Sequence, residues 1–357
     1  MTRAAVLEGP QRFQIVRHVA ARPGRGEAVV RIAATAVCHT DLAIYAGQHP
    51  GVRYPVVLGH EAAGVVEEAG ADTRIAIGTR VVVNPIIACG FCDCCLRGDE
   101  NLCRHAGLLG REMNGSLAES LVLPERYLHP IPNSIPLETA TLIETLATVR
   151  HAQQRVRIGP GDAVVVLGQG ATGLFHTRLA KLSGAGPLIA VSRTARKRDL
   201  GLRMGADATI DPSPARRESP APHDATRGDG AVDVVAEVTR LTDGRGADVV
   251  IDTSGDPRLV RPAIEMLRPG GTLLLYAISH EPVPDFTTFP MYFKELTVVG
   301  SRALLPADFP PAIRLVASGA VDLDGLVTGT YPLDRTAEAF GDYERDPDRV
   351  LRLLIVP

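Results

Sequence analysis

The sequence has no long apolar run and no strong charge of one sign. Its longest apolar runs, such as Ala163–Leu167 and Leu273–Leu275, fall far short of the roughly 20 residues that cross a bilayer. Residues 1–8 hold no apolar core of the kind that a secretory signal requires. The formal net charge of −3 gives no basic field for nucleic acid or anionic lipid. These absences predict a cytoplasmic protein that binds neither membranes nor nucleic acid.

Cysteine is also scarce, and its distribution argues against a disulfide framework. Of six cysteines in 357 residues, five lie between positions 89 and 103, whereas disulfide frameworks spread cysteines through short secreted chains. Cys89, Cys92, Cys95 and Cys103 give two CxxC steps and a fourth thiol eight positions later. Four thiolates in one loop, with backbone N–H groups near the sulfurs, predict a closed structural zinc site. Cys94 is then a spare that points away, or a replacement for Cys92 or Cys95.

Two further stretches predict a second metal site. His60 and Glu61 follow the extended run 54–57, and Cys38 follows a predicted strand, Ala28–Ala33. Alone, the His-Glu pair fits a solvated turn and Cys38 a buried, inert thiol. Together they supply a thiolate, an imidazole and a carboxylate, all of them zinc ligands.

Glu144 is a further candidate ligand in the predicted helical segment Leu137–Gln154. Apolar residues flank it, and a carboxylate on an apolar face must be paired or bound to a metal. Its position also fits an exposed helix residue.

The pattern of predicted secondary structure changes near Gly159. Irregular short strands and turns precede it, and alternating strands and helices follow, as in a doubly wound parallel sheet. The ordinary composition and a prior of about 150 residues per domain suggest two domains. The predicted elements are strands at Asp162–Leu167, Leu188–Val191, Ala206–Ile210, Asp248–Thr253 and Leu273–Ala277, helices at Leu174–Ser183 and Pro257–Leu267, a turn at Arg268–Gly271 and a strand-like segment at Phe289–Gly300. The proline-rich segment 211–230 is expected to be an exposed insertion.

A glycine-rich turn lies between the first strand and helix of this alternating part. Gly168, Gly170 and Gly173, with Ala171 and Thr172 between them, have the spacing and context of a pyrophosphate-binding turn. No acidic residue ends the next strand to accept the ribose 2′-hydroxyl of NAD. The residues expected to bind a 2′-phosphate are Ser192 and Arg193, with Arg196 or Lys197 adding charge. NADP(H) is therefore favoured over NAD(H), although basic residues at a helix start can simply be solvated.

Taken together, these motifs closely resemble the zinc-containing medium-chain alcohol dehydrogenases, particularly their polyol or sorbitol dehydrogenase-like branch. The resemblance also covers Glu144-Thr145-Leu146-Ala147 and residues 246–252, and it spans essentially the whole chain. It implies a GroES-like β-rich catalytic domain (1–146), a Rossmann dinucleotide domain (147–299) and a C-terminal return to the first domain (300–357). It also implies an α/β fold and a homodimer or homotetramer.

The resemblance assigns roles to residues. Cys38 and His60 are implied to be catalytic zinc ligands, with Glu61 and Glu144 completing the sphere or exchanging with water. Thr40 is implied to bond the substrate oxygen and start a proton relay. His39 is implied to contact the pyrophosphate of the cofactor. Asp41 is implied to orient the zinc ligand His60. Ala43 stands where liver-type members often end the relay with a histidine, so the proton must leave by another route, such as water.

The expected function is hydride transfer between NAD(P) and a secondary alcohol or ketone, on a polyol, sugar or cyclitol, with two zinc ions per chain. Tyr45 and His49 are candidate pocket residues or ordinary loop packing. One alternative is a primary-alcohol or aldehyde reductase of the same family. Another is a non-catalytic dinucleotide sensor, which should have lost Cys38, His60 or Thr40.

Overall fold

The computed structural model describes residues 1–19, 21–213 and 233–357. Most of the segment 211–230, predicted to be an exposed insertion, therefore lies outside the described residues. The chain divides into two compact units: Met1–Thr148 with Ala303–Pro357, and Val149–Arg302. No helix in the described part is long and apolar enough to cross a membrane.

The strands and helices are numbered here in chain order. The strands are β1 (Thr2–Gly9), β2 (Arg12–His18), β3 (Glu27–Val37), β4 (Val56–Val57), β5 (Glu61–Ala69), β6 (Arg80–Val83), β7 (Ile86–Ile87), β8 (Gly107–Leu108), β9 (Ser120–Pro124), β10 (Leu128–Pro130), β11 (Val164–Leu167), β12 (Leu188–Val191), β13 (Ala208–Ile210), β14 (Ala247–Asp252), β15 (Leu267–Leu275), β16 (Thr297–Gly300), β17 (Val327–Pro332) and β18 (Arg352–Val356). The helices are α1 (His39–Tyr45), α2 (Asp93–Leu96), α3 (Leu137–Ala140), α4 (Leu142–Gln154), α5 (Ala171–Leu182), α6 (Ala195–Arg203), α7 (Val234–Leu241), α8 (Val260–Met266), α9 (Phe289–Phe293), α10 (Phe309–Ala317) and α11 (Thr336–Arg345).

The first unit is β-rich, as predicted. Its main sheet has the order β10-β6-β5-β3-β18-β17, with β9 also paired to β3. Strand β3 pairs antiparallel with β5, Ala36 opposite Glu61, and with β18, Val37 opposite Leu353. The carboxyl end of β3 therefore lies between the start of β5 and the start of β18.

The second unit is a parallel sheet with helices between its strands. The strand order is β13-β12-β11-β14-β15-β16, and each neighbouring pair is parallel. Val164–Leu167 and Leu188–Val191 are buried along their whole length, as expected for central strands covered on both faces. The predicted Rossmann-type α/β fold is thus confirmed.

Several predicted elements differ from the observed ones. Strand β15 begins at Leu267, so Arg268–Gly271 lies inside the strand, because pairing with β14 continues across an irregularity in register. The prediction of strand-like structure throughout Phe289–Gly300 is wrong. Residues Phe289–Phe293 form a helix with a proline in its first turn, where the missing N–H of proline costs nothing.

Candidate metal centres and dinucleotide site

Cys38, His60 and Glu61 form one cluster in the first unit. Cys38 lies between the end of β3 and the start of α1, and Glu61 begins the strand that pairs with β3. One donor atom from each of the three residues lies within 4.8 Å of the other two. His60 and Glu61 are buried. A thiolate, an imidazole and a carboxylate are the donor set of a catalytic zinc with three protein ligands, so these residues fit the metal.

Asp41 holds the two ligand loops together. Its Oδ1 lies 3.3 Å from His60 Nδ1 and accepts the Gly59 N–H at 3.1 Å, while its Oδ2 accepts the Cys38 N–H at 3.0 Å. Burial disfavours the charged imidazole, but Asp41 and Cys38 outweigh burial and raise the pKa of His60 well above its ordinary value. The expected contact between Asp41 and His60 is confirmed, and such a carboxylate fixes the orientation of a ligand imidazole.

Sequence analysis missed Arg352, which contacts the same cluster. Its Nε and Nη2 donate to the two carboxylate oxygens of Glu61 at 3.0 and 3.1 Å, and Nη2 lies 3.3 Å from Thr145 Oγ1. The guanidinium and the carboxylate are both buried. A signal was present, since a single arginine interrupts the apolar run 350–356, and a buried charge must be paired.

The carboxyl group of Glu144 is buried near this cluster, so the alternative of an exposed helix residue is excluded. Glu144 is not one of the three residues whose donor atoms lie within 4.8 Å of one another. Burial and the negative charge of Glu61 raise its pKa to about 8, although His60 and Arg352 oppose the shift. A buried carboxyl group with this pKa keeps its proton at pH 7 unless a cation binds beside it.

The remaining candidates of the first unit lie on or after α1. His39 is exposed and Thr40 is half-buried, both in the first turn directly after Cys38. Tyr45 packs its ring 5.5 Å from Phe13 and 5.0 Å from Phe340, measured between ring centroids. Tyr45 is thus part of a hydrophobic core, which supports the ordinary-packing alternative for this residue.

The four predicted cysteines of the lobe formed by residues 89–103 come together around one point. Sulfur–sulfur distances are 3.5 Å for Cys89–Cys103, 3.6 Å for Cys92–Cys95, 3.8 Å for Cys92–Cys103 and 3.9 Å for Cys89–Cys95. A tetrahedral site with Zn–S bonds of about 2.3 Å needs sulfur pairs about 3.8 Å apart. The backbone N–H groups of Cys89 and His105 lie 3.4 Å from Cys103 Sγ. The lobe therefore fits a structural zinc.

Cys94 is outside this four-sulfur group. It is buried on α2, and Nη2 of Arg97 donates to its sulfur at 3.6 Å. Its Sγ nevertheless lies within 4.8 Å of Cys92 Sγ, in a group that also includes a carboxylate oxygen of Asp93. Cys94 therefore lies beside Cys92, one of the four candidate ligands.

The glycine-rich turn of the second unit connects β11 to α5. Gly168 has a φ of +91°, which favours glycine, and a Cβ on Gly173 would lie 2.1 Å from the Gly168 carbonyl oxygen. A Cβ on Gly170, at the N-cap of α5, would meet nothing within 4 Å. Gly168 thus permits a tight turn, Gly170 leaves space for a ligand to approach the backbone, and Gly173 allows close packing of the helix. Ala171 and Thr172 begin the helix. This arrangement fits a dinucleotide pyrophosphate.

The predicted selector residues follow the next strand. Ser192 is buried, Arg193 is exposed and Lys197 is half-buried in the first turn of α6. Arg198 donates to the carbonyl oxygens of Ser192 at 2.7 Å and Arg193 at 3.0 Å and pairs with Asp211 at 2.8 Å. The side chain of Arg198 thereby fixes the loop that carries the candidate selectors.

Two protein-family models match parts of this chain. Residues 24–133 match the family model of the alcohol dehydrogenase GroES-like domain, and residues 171–318 match that of the zinc-binding dehydrogenases. A sorbitol dehydrogenase of Halalkalibacterium halodurans is 32% identical, with 93% of this chain and 92% of the relative covered. An L-threonine 3-dehydrogenase of Pyrococcus furiosus is 34% identical, with 89% of this chain and 88% of the relative covered.

A solved structure shows the same fold over its full length. A zinc-binding dehydrogenase of Sinorhizobium meliloti, bound to NADP, superposes with a TM-score of 0.84 at 29% identity, covering 100% of this chain and 99% of that one. The fold and the sequence relatives agree on one family. The chain therefore belongs to the zinc-containing medium-chain alcohol dehydrogenases and is an NAD(P)-dependent oxidoreductase that acts on alcohols.

Proposed function

We propose that this enzyme interconverts a secondary alcohol and a ketone on a polyol, sugar or cyclitol, with NADP(H) as the favoured cofactor. The observation that carries the proposal is the cluster of half-buried Cys38 with buried His60 and Glu61, whose donor atoms lie within 4.8 Å of one another. The substrate class is supported by the relative named sorbitol dehydrogenase. The relative named L-threonine 3-dehydrogenase makes a hydroxy amino acid the second substrate to test.

In this proposal Cys38 and His60 hold the catalytic zinc, and Glu61 and Glu144 complete its sphere or exchange with water. Bound there, zinc supplies Lewis acidity that lowers the pKa of an alcohol and polarises a carbonyl, while the nicotinamide carries the hydride. Asp41 keeps the imidazole of His60 in its ligand orientation. Removing such an outer partner typically costs about 10–100-fold in metal affinity or activity, and we expect this loss for Asp41→Asn.

Thr40 is proposed to hydrogen-bond the substrate oxygen and start a proton relay, and His39 is proposed to contact the cofactor pyrophosphate. Two observations support this role for Thr40. Its side chain is half-buried, and it lies in the first turn of α1, two residues after Cys38. Positioned proton transfer contributes about 10²–10⁴-fold to rate. We therefore expect Thr40→Val to lower kcat within this range, while the matched variant Thr40→Ser, which keeps the hydroxyl, retains most activity.

Cofactor choice is proposed to depend on Ser192, Arg193 and Lys197 beyond the turn formed by Gly168, Gly170 and Gly173. The absence of an acidic residue from position 192 to position 198 supports NADP(H). Titration of the purified enzyme with NADPH and NADH tests this. Weaker NADPH binding in Arg193→Gln, with NADH binding unchanged, is the expected result, and tighter NADH binding by the wild type would contradict the preference.

The structural zinc is proposed to be held by Cys89, Cys92, Cys95 and Cys103. The chain is further proposed to consist of a catalytic domain (1–146), a dinucleotide domain (147–299) and a C-terminal return (300–357), and to form a homodimer or homotetramer. Self-association is supported by the exposed aromatic residues of α9 and by β16, which ends the described sheet of the second unit.

The test of the proposed function combines metal content with substrate profile. Wild type should contain two zinc ions per chain and oxidise sorbitol and xylitol in preference to a primary alcohol or L-threonine. Cys38→Ser should keep the fold and lose one zinc together with the activity. Wild type with the lobe zinc alone would favour the sensor alternative, and preferred turnover of primary alcohols or aldehydes would favour the reductase.

A further inference from the structure

The lobe formed by residues 89–103 contains one thiol more than a four-coordinate metal needs. With the metal bound to Cys89, Cys92, Cys95 and Cys103, the sulfur of Cys94 is the thiol of this lobe that stays uncoordinated. Cys94 Sγ and Cys92 Sγ belong to one group of donor atoms within 4.8 Å of one another. The spare thiol and a ligand thiol are therefore close neighbours.

We propose that Cys94 makes the lobe a peroxide-responsive site, where oxidation joins Cys94 to Cys92 and releases the structural zinc. This inference rests on the proposed zinc site of the lobe and is independent of the substrate. The co-reactant is a peroxide, for which hydrogen peroxide is the probe.

The chemistry proceeds in two balanced steps. The sulfur of Cys94 attacks one peroxide oxygen, the O–O bond breaks, and Cys94 becomes a sulfenic acid while one water forms. The thiolate sulfur of Cys92 then attacks the sulfenic sulfur, the S–S bond forms and the S–O bond breaks. Hydroxide leaves and takes one proton from the solvent to become a second water. Together the two cysteine sulfurs have lost two electrons, and one peroxide has been reduced to two waters. A dithiol reductant reverses the change by thiol–disulfide exchange.

The surroundings of Cys94 allow these steps. Arg97 donates a hydrogen bond to the sulfur of Cys94, and its side chain is 58% exposed, so it can move aside to admit a small oxidant. The same guanidinium lies 3.6 Å from the sulfur and can donate a hydrogen bond to a sulfenic oxygen. Closure to a disulfide bond of about 2.05 Å needs a local rearrangement. Helix α2 has only four residues, so little regular structure is lost.

Zinc release follows from the loss of one ligand. Once Cys92 is in a disulfide its sulfur is no longer a thiolate, and three thiolates remain where the closed site needs four. The cluster of Cys38, His60 and Glu61 contains one cysteine and has no comparable neighbour thiol among the groups described. Oxidation at a limited dose is therefore expected to empty the lobe before the other centre.

The experiment treats the holoenzyme with stoichiometric hydrogen peroxide and follows zinc release with a chromophoric chelator, with peptide mapping by mass spectrometry. Wild type should release one of its two zinc ions, yield a Cys92–Cys94 disulfide and rebind zinc after reduction. Cys94→Ser and Cys94→Ala should keep both ions at the same dose, with unchanged activity before treatment. Arg97→Gln should alter the rate of release without altering the zinc content before oxidation.

Two outcomes overturn the inference. One is release of zinc from Cys94→Ser as fast as from wild type, since the ligand cysteines then oxidise without Cys94. The other is a wild-type peptide map in which Cys94 stays reduced after release, a readout that does not depend on any variant. A lobe without zinc before oxidation would refute the metal site itself, which separates that failure from failure of the redox step.

Discussion

At the scale of residues, the ion pair of Glu61 and Arg352 involves a carboxylate of the candidate metal centre. The guanidinium bonds both oxygens of a carboxylate that is also a candidate zinc donor. Removing one partner of a buried pair leaves an uncompensated charge, which typically costs about 3–5 kcal/mol. The two residues should therefore be strongly coupled in stability.

We expect Arg352→Met to lower the free energy of unfolding by about 3–5 kcal/mol. Adding Glu61→Gln removes the unpaired charge, so the double variant should be less destabilised than the sum of the single variants. Urea unfolding of the four proteins of this cycle measures the coupling. Arg349→Met, an exposed arginine nearby, is the control, and additive losses at Arg352 and Glu61 would refute the coupling.

Burial of His176 predicts that the stability of the protein depends on pH. Its side chain is buried, and burial lowers its pKa to about 3, whereas an unfolded chain takes up the proton near its ordinary value of about 6.5. Below about pH 6.5, the ordinary pKa of histidine, the unfolded state binds a proton at this histidine and the folded state does not. The free energy of unfolding therefore falls as the pH decreases toward 3. From pH 7.5 to 5.5 the loss from this residue is about 1 kcal/mol.

His176→Gln should therefore flatten the decline in stability between pH 7.5 and 5.5, whatever its effect at neutral pH. Thermal unfolding across this range measures the slope, and His18→Gln, at an exposed histidine, is the matched control. An equal slope in wild type and His176→Gln would show that other groups account for the pH dependence.

At the scale of elements, adding a methyl group to the glycine-rich turn should affect stability at one position and dinucleotide binding at another. A Cβ at position 173 would lie 2.1 Å from the Gly168 carbonyl oxygen, but one at position 170 would meet nothing within 4 Å. Gly173→Ala should destabilise the fold by about 1–3 kcal/mol, the usual cost of overpacking. Gly170→Ala should keep wild-type stability and lose dinucleotide affinity, because its methyl group enters the space proposed for the pyrophosphate.

Thermal unfolding together with NADPH titration of Gly170→Ala and Gly173→Ala tests this pair. Wild-type NADPH affinity in Gly170→Ala would argue against pyrophosphate binding at this turn. Unchanged stability in Gly173→Ala would contradict the close packing of α5 on the strand.

The elements also show how far sequence patterns reach. Local signals located β12 and the segment containing α3 and α4, because a short apolar run between turn residues indicates a buried strand and a longer run indicates a helix. They misplaced the start of β15 and the nature of residues 289–293. Pairing with β14 extends the former through a Pro-Gly-Gly stretch, and a short apolar run cannot be assigned to strand or helix by periodicity alone.

At the scale of the whole molecule, self-association can be tested on α9. Phe293 is 73% exposed, and Phe91 on the cysteine lobe is 71% exposed. If α9 and β16 form the subunit interface, Phe293→Glu should convert the assembly to monomers by burying a charge, while Phe91→Glu should leave it intact. Light scattering after size exclusion measures the mass, and an unchanged mass for Phe293→Glu would exclude this interface.

The candidate metal-binding residues could be proposed from the sequence because they lie close together in the chain or match motifs of a known family. Arg352 was not predictable from spacing, because 291 positions separate it from Glu61. Only the pairing of β18 with β3 brings the two together. Cys94 was predicted to be a spare that points away or a replacement for Cys92 or Cys95, and its spacing did not show that its sulfur would lie within 4.8 Å of Cys92 Sγ.

The same pairing imposes an order on biosynthesis. A ribosome delivers Cys38, His60 and Glu61 early, but Arg352 emerges only after every residue of the second unit. Until then the nascent chain carries a carboxylate with no guanidinium partner. The dinucleotide unit is therefore complete first, and the candidate metal centre can reach its final form only when synthesis of β18 ends, which reverses the usual N-terminal-first order of domain folding.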